Sequence, residues 1–205
     1  SGYGITDAAG ADRDANMVGV RLGKKIGSGS VTLWYDRLSG VDDDDQSGGD
    51  WGAFDTMYDT GHKFYGFQDF YLARNGAGTR FFGLQDIALK TKMSPRAGWT
   101  LKADVHHFRT ATDLTGSDAD GIIDSLANAA TNIEGGMAND LGTEVDLTVV
   151  HKYDANTKIV AGYSHYFTTT TFSQLNCGAA GSGGTCGSNS NDDSDWAYVM
   201  IDTKF

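Results

Sequence analysis

Hydrophobic and polar residues alternate with a period of two in several segments of the chain. Such alternation predicts β-strands with one apolar face and one polar face. In segment 99–109, for example, Trp99, Leu101, Ala103 and Val105 occupy every second position. We predict seven strands, over residues 18–26, 31–36, 81–93, 99–109, 141–153, 158–167 and 195–205.

The segments between these strands are alternately short and long. Turns over 27–30, 94–98 and 154–157 alternate with long polar segments over about 40–80, 113–140 and 173–194. In the second long segment, apolar residues at helical spacing predict a short helix; they are Ile122, Leu126, Ala129 and Ile133. Short periplasmic turns and long extracellular loops are typical of outer-membrane β-barrels, whose strands have about ten residues. We therefore predict an all-β fold, an antiparallel up-and-down transmembrane β-barrel with a periplasmic C-terminus.

Barrels of this type close with an even number of strands, whereas the pattern predicts seven. Residues 1–16 look like the end of a long loop, and no signal peptide opens the chain. We therefore expect residues 1–205 to be the C-terminal portion of one larger barrel, with further strands before Ser1. The alternative is a soluble β-sandwich, which shares the alternation but rarely the strict asymmetry of the connections.

Composition narrows the function classes. The formal net charge of −11 argues against nucleic acid as a partner. No apolar run is long enough for a transmembrane helix. Cys177 and Cys186 lie in a Gly/Ser-rich segment, where they predict a disulfide-closed loop in an oxidising compartment; the alternative is two unpaired thiols.

Residues 54–66 read F-D-T-M-Y-D-T-G-H-K-F-Y-G and resemble a motif of the alginate export family of outer-membrane porins. The matching residues are Phe54, Asp55, Tyr58, Thr60, Gly61, His62, Lys63, Phe64, Tyr65 and Gly66. Asp59 stands where the family often has proline. Segments 83–86, 102–108, 141–146 and 196–205 also resemble that family, and the closing Phe205 resembles the signal read by the barrel assembly machinery. The resemblance implies a channel in the outer membrane of a Gram-negative bacterium. Named members export an anionic polysaccharide, but many relatives have no established substrate.

Outer-membrane lipid requires the apolar face outside, so the alternate residues are predicted to line a lumen. Its charged residues are Arg21, Lys25, Asp36, Asp86, Lys90, Lys92, Lys102, Asp104, Glu144, Asp146, Lys152, Lys158, Asp202 and Lys204. Many of the lysines adjoin the short turns, and the carboxylates of β-strands 81–93, 99–109 and 141–153 lie further along. A basic ring near the periplasmic mouth would attract anions. The alternative is that Lys and Asp pair across strands and brace the wall.

Two clusters outside the lumen suggest chemistry. The acidic run Asp42, Asp43, Asp44 and Asp45, with Asp50 and Asp55 nearby, could supply ligands for a loop calcium ion; the alternative is a solvated acidic loop. His62 and Lys63 beside Asp59 suggest acid–base chemistry, although one His beside one Asp in an aromatic-rich loop is more typical of a structural role.

No other pattern indicates catalysis. His106 and His107 are adjacent on a strand, so they face opposite sides and cannot share a metal. Nucleophile motifs and phosphate loops are absent from the sequence. We therefore expect neither an enzyme nor a cofactor, apart from the calcium candidate.

Aromatic residues lie towards the predicted strand ends, where those that point outward would form interfacial girdles. They are Trp34, Tyr35, Trp99, Tyr153, Tyr163, Phe167, Trp196 and Phe205. The predicted function is a channel for a polar, anionic or sugar-like solute. The alternative is a plugged barrel that acts as a scaffold for envelope partner proteins.

Overall fold

The computed structural model describes residues 14–42, 51–56, 61–71, 82–113, 139–177 and 193–204. Within these ranges the chain forms seven strands and one helix. They are β1 (Met17–Ile26), β2 (Gly29–Leu38), β3 (Leu84–Met93), β4 (Trp99–Arg109), β5 (Asp140–Lys152), β6 (Thr157–Thr168), α1 (Thr170–Cys177) and β7 (Ser194–Thr203). In this part of the chain, no helix has the length and apolar character needed to cross a membrane.

The seven strands form one antiparallel sheet in the order β1-β2-β3-β4-β5-β6-β7. Each strand therefore pairs with its neighbours in the chain, which confirms the predicted all-β, up-and-down arrangement. β1 and β7 are the two edges of this sheet, and each has one strand neighbour among the described residues.

Short turns join β1 to β2, β3 to β4 and β5 to β6. The first is tighter than predicted, because Gly29 already pairs with Ile26 and leaves only residues 27–28 in the turn. Gly27 has a φ of 55°, a left-handed conformation that suits a two-residue hairpin turn. In the third turn, the Asp154 carboxylate accepts the backbone N–H groups of Asn156 and Thr157 at 2.8 and 2.7 Å. We call the strand ends next to these turns the short-turn end of the sheet, and the opposite strand ends the long-connection end.

The two faces of the sheet differ in character. The charged face carries the alternate residues that include Asp36, Asp86 and Glu144, which are fully buried. The apolar face carries the intervening residues, of which Leu22, Val199 and Ile201 are 67%, 75% and 69% exposed. The strand pairings connect the same face from β1 to β7. In the middle of this sheet, therefore, the polar side is covered, whereas the apolar side is open.

A cluster of buried apolar side chains lies at the long-connection end. It joins residues from strand ends on the charged face to residues 51–56, 61–71 and helix α1. Its members are Leu38, Val41, Ala53, Tyr65, Tyr71, Phe82, Leu84, Phe108, Leu141, Tyr166, Phe172 and Leu175. Connecting segments, rather than a second sheet, therefore cover this end of the charged face.

Several predicted boundaries need correction. β3 begins at Leu84 rather than 81, because Phe82 leaves the ladder to enter the apolar cluster and its carbonyl accepts the N–H groups of Ala111 and Thr112. β7 ends at Thr203, and Phe205 lies outside the described residues. Helix α1 occupies the start of the third predicted loop, where the Thr169 hydroxyl accepts the Phe172 N–H at 3.2 Å.

Candidate functional site

Residues 61–71, which we call the strap, lie across the charged face. The strap has no regular secondary structure, and three of its non-glycine residues have left-handed backbones: His62, Tyr65 and Asp69, with φ of 58°, 59° and 58°. Such conformations are uncommon for non-glycine residues and persist where surrounding contacts hold them. The contacts of the strap with β5, β6 and β7 are therefore what fixes its path.

The central contact is with Glu144 on β5. Glu144 Oε1 accepts the backbone N–H groups of Phe67 and Gln68 at 2.5 and 2.9 Å, and the Ser164 hydroxyl at 2.8 Å. Two consecutive amides converging on one carboxylate oxygen make charge-assisted hydrogen bonds, which are stronger than neutral ones. Glu144 thus fastens the strap to the sheet.

Gly66 allows this close approach. A Cβ at this position would stand 2.3 Å from Glu144 Oε2, and the residue has a φ of +85°. Both the space and the backbone conformation therefore require glycine.

Side chains of the strap add further contacts. Gln68 donates to the Ser194 carbonyl at 2.9 Å, and the Ser194 hydroxyl donates to Gln68 Oε1 at 2.5 Å. The His62 ring stacks on Trp196 with 4.4 Å between centroids, and Phe67 meets the same indole edge-on at 6.0 Å. These contacts hold the strap against β7, beside its attachment to β5.

Tyr71 closes the strap at the long-connection end. Its hydroxyl hydrogen-bonds to that of Tyr166, which in turn donates to the Leu141 carbonyl at 2.7 Å. Burial raises the pKa of Tyr71 well above its ordinary value, and the neighbouring Tyr166 adds to the effect. Tyr71 therefore stays protonated and serves as a buried anchor.

The middle of the charged face contains two bonded networks. In the first, Arg21 donates to both oxygens of Asp36 at 2.6 and 2.8 Å, and Trp34 Nε1 donates to the same carboxylate at 2.9 Å. The Arg21 guanidinium also lies 3.2 Å from the centroid of the Trp34 ring. Charge and shape together satisfy the buried Asp36.

In the second network, His106 lies between a carboxylate and an ammonium. His106 Nδ1 is 2.9 Å from Asp86 Oδ1, and Lys90 Nζ is 3.0 Å from His106 Nε2. An ammonium only donates, so Nε2 accepts and the ring proton lies on Nδ1, facing Asp86. Lys90 also pairs with Asp104 at 3.4 Å. The Asp–His pair resembles part of a catalytic triad, but a lysine occupies the place of the nucleophile.

The strap lies close to these networks as well as to Glu144. Burial and the negative charges of Asp36 and Asp86 raise the pKa of Tyr65 to about 12. The Phe64 ring lies 6.3 Å from that of Trp34. A neutral, aromatic segment thus covers the acidic middle of the charged face.

Asp146 is the exception to this bonding. Its side chain is buried, yet neither oxygen accepts a hydrogen bond among the described residues. His106 Nε2 lies 3.9 Å from Asp146 Oδ2. No group of three or more His, Cys, Asp or Glu side chains within the described ranges is arranged to hold a metal ion.

The short-turn end is different, because several cations there have no carboxylate partner within the described ranges. Lys25, Lys92 and Lys102 lie in one row across the sheet, since Lys25 and Lys92 both pair with Ser30 and Lys92 pairs with Lys102. None of the three makes an ion pair within the described residues. Lysine therefore dominates this level of the charged face.

A cavity of about 680 Å³ opens beside this row, between the turns at 94–98 and 154–157. Its charged lining is Arg96, Lys152, Asp154, Lys158, Asp202 and Lys204. Both carboxylates are engaged, because Asp202 pairs with Lys158 at 2.8 Å and Asp154 accepts backbone N–H groups. The remaining charges lining the cavity are positive.

The strand register places thirteen of the fourteen predicted lumen residues on the charged face, as the alternation predicts, and Lys204 lies directly after the end of β7. Both alternatives from the sequence have support at different levels. Cross-strand pairs brace the middle, as in Lys90–Asp104, and unpaired lysines lie at the short-turn end. His106 and His107 lie on opposite faces, and His107 Nδ1 is 3.2 Å from the Thr143 hydroxyl on the apolar face.

Of the predicted motif residues, Gly61, His62, Lys63, Phe64 and Gly66 belong to the strap, and Phe54 packs against the apolar cluster. His62 is bonded to Asp69 and the Phe67 carbonyl, which agrees with a structural role. Several predicted features lie outside the described residues: the helix in 113–140, the disulfide of Cys177 with Cys186, the residues Tyr58, Asp59 and Thr60, and the calcium candidates Asp43, Asp44 and Asp45.

The sequence did not reveal that the strap folds onto the charged face. The signal available was a run of glycines and aromatics without period-two alternation, which excludes a strand but does not indicate a docking surface.

Of the predicted girdle residues, Trp34 and Trp196 lie on the charged face, and Tyr35, Trp99, Tyr163 and Phe167 lie on the apolar face.

Comparison with known proteins adds no relative: no protein-family profile matches this sequence, and no curated protein matches it significantly.

Proposed function

We propose that this chain forms part of an outer-membrane β-barrel of the alginate-export type, which passes a polar, anionic or sugar-like solute. In this proposal the apolar face contacts lipid, the charged face lines the lumen, and the strap narrows it. The short-turn end lies at the periplasmic side.

One observation carries the proposal, namely the inverted polarity of the sheet. A soluble sandwich buries its apolar face and leaves its charged face in water. Here Asp36, Asp86 and Glu144 are covered, whereas Leu22, Val199 and Ile201 are exposed. A contiguous exposed apolar surface of this kind is typical of a site that contacts a membrane or another protein.

The dimensions of the apolar face agree with lipid as that contact. On β6 the face runs from Ile159 to Phe167. At about 3.3 Å per residue this is roughly 26 Å along the strand. A strand tilt of about 40° reduces that to about 20 Å, close to the roughly 25 Å apolar band of outer-membrane barrels. Phe167 lies at one end of the face, and Trp99 and Tyr153 lie near the other, as interfacial aromatics do, whereas Tyr163 lies midway along β6.

The row of Lys25, Lys92 and Lys102 supports an anionic solute. Charge rings at a pore mouth raise the local concentration of the opposite charge, and these lysines have no carboxylate partners among the described residues. The carboxylates of the middle level are bonded to Arg21, Lys90, His106 or the amides of the strap, apart from Asp146. The mouth would therefore attract anions.

The strap gives specific support to a second candidate, a plugged barrel with a scaffold role. It lies across the charged face and is fastened at Glu144, Ser194 and Trp196. A segment in that position would obstruct a lumen. The two candidates differ in whether current flows.

Planar-bilayer recording tests the proposal and separates the candidates. The reversal potential under a salt gradient should show anion preference, and Lys25→Gln/Lys92→Gln/Lys102→Gln should shift it towards cations. Lys24→Gln, on the apolar face at the same end, is the matched control and should leave it unchanged. Cation preference in the unmodified protein would refute the anion pathway, and a barrel that inserts but never conducts would favour the scaffold.

A further inference from the structure

The apolar face changes character over three successive rows of β2, β3 and β4. The first row is aliphatic, because Leu33 pairs with Leu89 and Leu89 with Val105. The next row consists of Tyr35, Ile87 and His107. The third, at the long-connection end, consists of Arg37, Gln85 and Arg109. The transition from aliphatic to basic therefore takes four residues, or about 13 Å along each strand.

Among the residues that the structure describes, the two arginines of the third row have no carboxylate partner. Arg109 is exposed and makes no hydrogen bond or ion pair within the described ranges. Arg37 makes one long hydrogen bond, to Asn16 Oδ1 at 3.4 Å. Asp140 pairs with Arg109 in the register, but its Oδ1 accepts the Gly142 amide at 2.9 Å rather than an Arg109 donor.

Gln85, between the arginines, is already bonded. It donates to the Thr110 carbonyl at 2.9 Å and accepts the Tyr35 hydroxyl at 3.2 Å. Arg37 and Arg109 are two strands apart, which separates their Cα atoms by about 10 Å. Extended arginine side chains can span half that distance each, so both guanidinium groups can reach one anion between them.

We propose that Arg37 and Arg109 bind the phosphate of a lipid headgroup at the long-connection end of the apolar face. This inference rests on the proposed membrane insertion, and it adds a lipid-binding site on the outside of the sheet. Guanidinium groups match phosphate in both charge and geometry. The source is a lipid rather than free phosphate, because the aliphatic rows directly below would contact the acyl chains of the same molecule.

The test uses the purified full chain, reconstituted in phosphatidylcholine vesicles with a minority of phosphatidic acid. After extraction into detergent, native mass spectrometry counts the phosphatidic acid molecules retained. The unmodified protein should retain this lipid in preference to diacylglycerol with the same chains. Arg37→Gln/Arg109→Gln should reduce retention about tenfold or more, because each guanidinium makes charge-assisted hydrogen bonds.

Two controls keep the result decisive. Lys24→Gln/Arg96→Gln removes the same charge at the short-turn end and should retain the lipid. Arg37→Lys/Arg109→Lys keeps the charge and should retain an intermediate amount, which separates a lost site from a fold that has failed. Equal retention by the two Gln double variants would overturn the inference, as would complete displacement of the lipid by inorganic phosphate.

The failure of the proposed function gives a different result. Protection of the strands from protease in phosphatidylcholine alone reports insertion without any phosphate headgroup selectivity. Insertion with unselective lipid retention overturns only the lipid site. Absence of insertion overturns both.

Discussion

Replacing Gly66 by alanine should detach the strap from the sheet. The new Cβ would stand 2.3 Å from Glu144 Oε2, which is closer than any stable non-bonded contact. Either the strap or the Glu144 carboxylate would have to move, and in both cases the hydrogen bonds from the Phe67 and Gln68 amides would be lost. The substitution therefore acts on the attachment itself and leaves the charges of the site unchanged.

The size of the effect follows from two contributions. Alanine in a left-handed conformation costs about 1 kcal/mol more than glycine. Each amide hydrogen bond to a carboxylate contributes roughly 1.5–3 kcal/mol. Loss of even one of the two bonds brings the total to about 3 kcal/mol, which corresponds to a change of about 100-fold in the equilibrium between the attached and detached strap.

Amide hydrogen exchange at Phe67 and Gln68 measures that equilibrium. Gly66→Ala should accelerate exchange at both amides by about two orders of magnitude. The matched control is Gly98→Ala, because Gly98 also has a positive φ, of 78°, but lies in a turn far from the strap. It should leave exchange at Phe67 and Gln68 unchanged. Equal protection in the two variants would refute the role of Glu144 as the attachment point.

Two further predictions concern stability and pH. Arg21→Gln should lower the free energy of unfolding by about 3 kcal/mol in urea titrations, because it leaves the fully buried Asp36 without its cation. The control is Lys158→Gln, which breaks an ion pair with the half-exposed Asp202 and should lower the free energy of unfolding by at most about 1 kcal/mol. The Asn156 and Thr157 amides lower the pKa of Asp154 in the folded protein. The stability that this carboxylate contributes is therefore present above its unfolded-state pKa of about 3.9, and it is lost as the pH falls through the lower folded-state pKa. The stability difference between the unmodified protein and Asp154→Ala should therefore be constant above about pH 5 and shrink below about pH 4; a difference that grows in acid would contradict this assignment.

The strands and their faces could be predicted from the sequence because both depend on local periodicity. A period of two places alternate side chains on opposite faces whatever else the strand contacts. Lys90 and Asp104, for instance, had to share a face once β3 and β4 paired as a hairpin. Their ion pair follows from the register.

The path of the strap could not be predicted in this way. It depends on Glu144, which lies 77 positions from Phe67 in the sequence, and on left-handed residues whose conformation is set by tertiary contacts. Aromatic residues such as Phe67 signal burial but not the surface that buries them. The row of Lys25, Lys92 and Lys102, which have no ion-pair partner in the described part of the chain, likewise depends on the register that sets their neighbours.

The central claim is that the apolar face contacts lipid while the charged face contacts water. Spin labels placed singly at residues 101 to 105 of β4, in the protein reconstituted in lipid vesicles, test this most directly. The proposal predicts that accessibility to oxygen peaks at Leu101, Ala103 and Val105, and that accessibility to a polar nickel chelate peaks at Lys102 and Asp104. High accessibility to the nickel chelate at all five positions, or an oxygen maximum at Lys102 and Asp104, would contradict it.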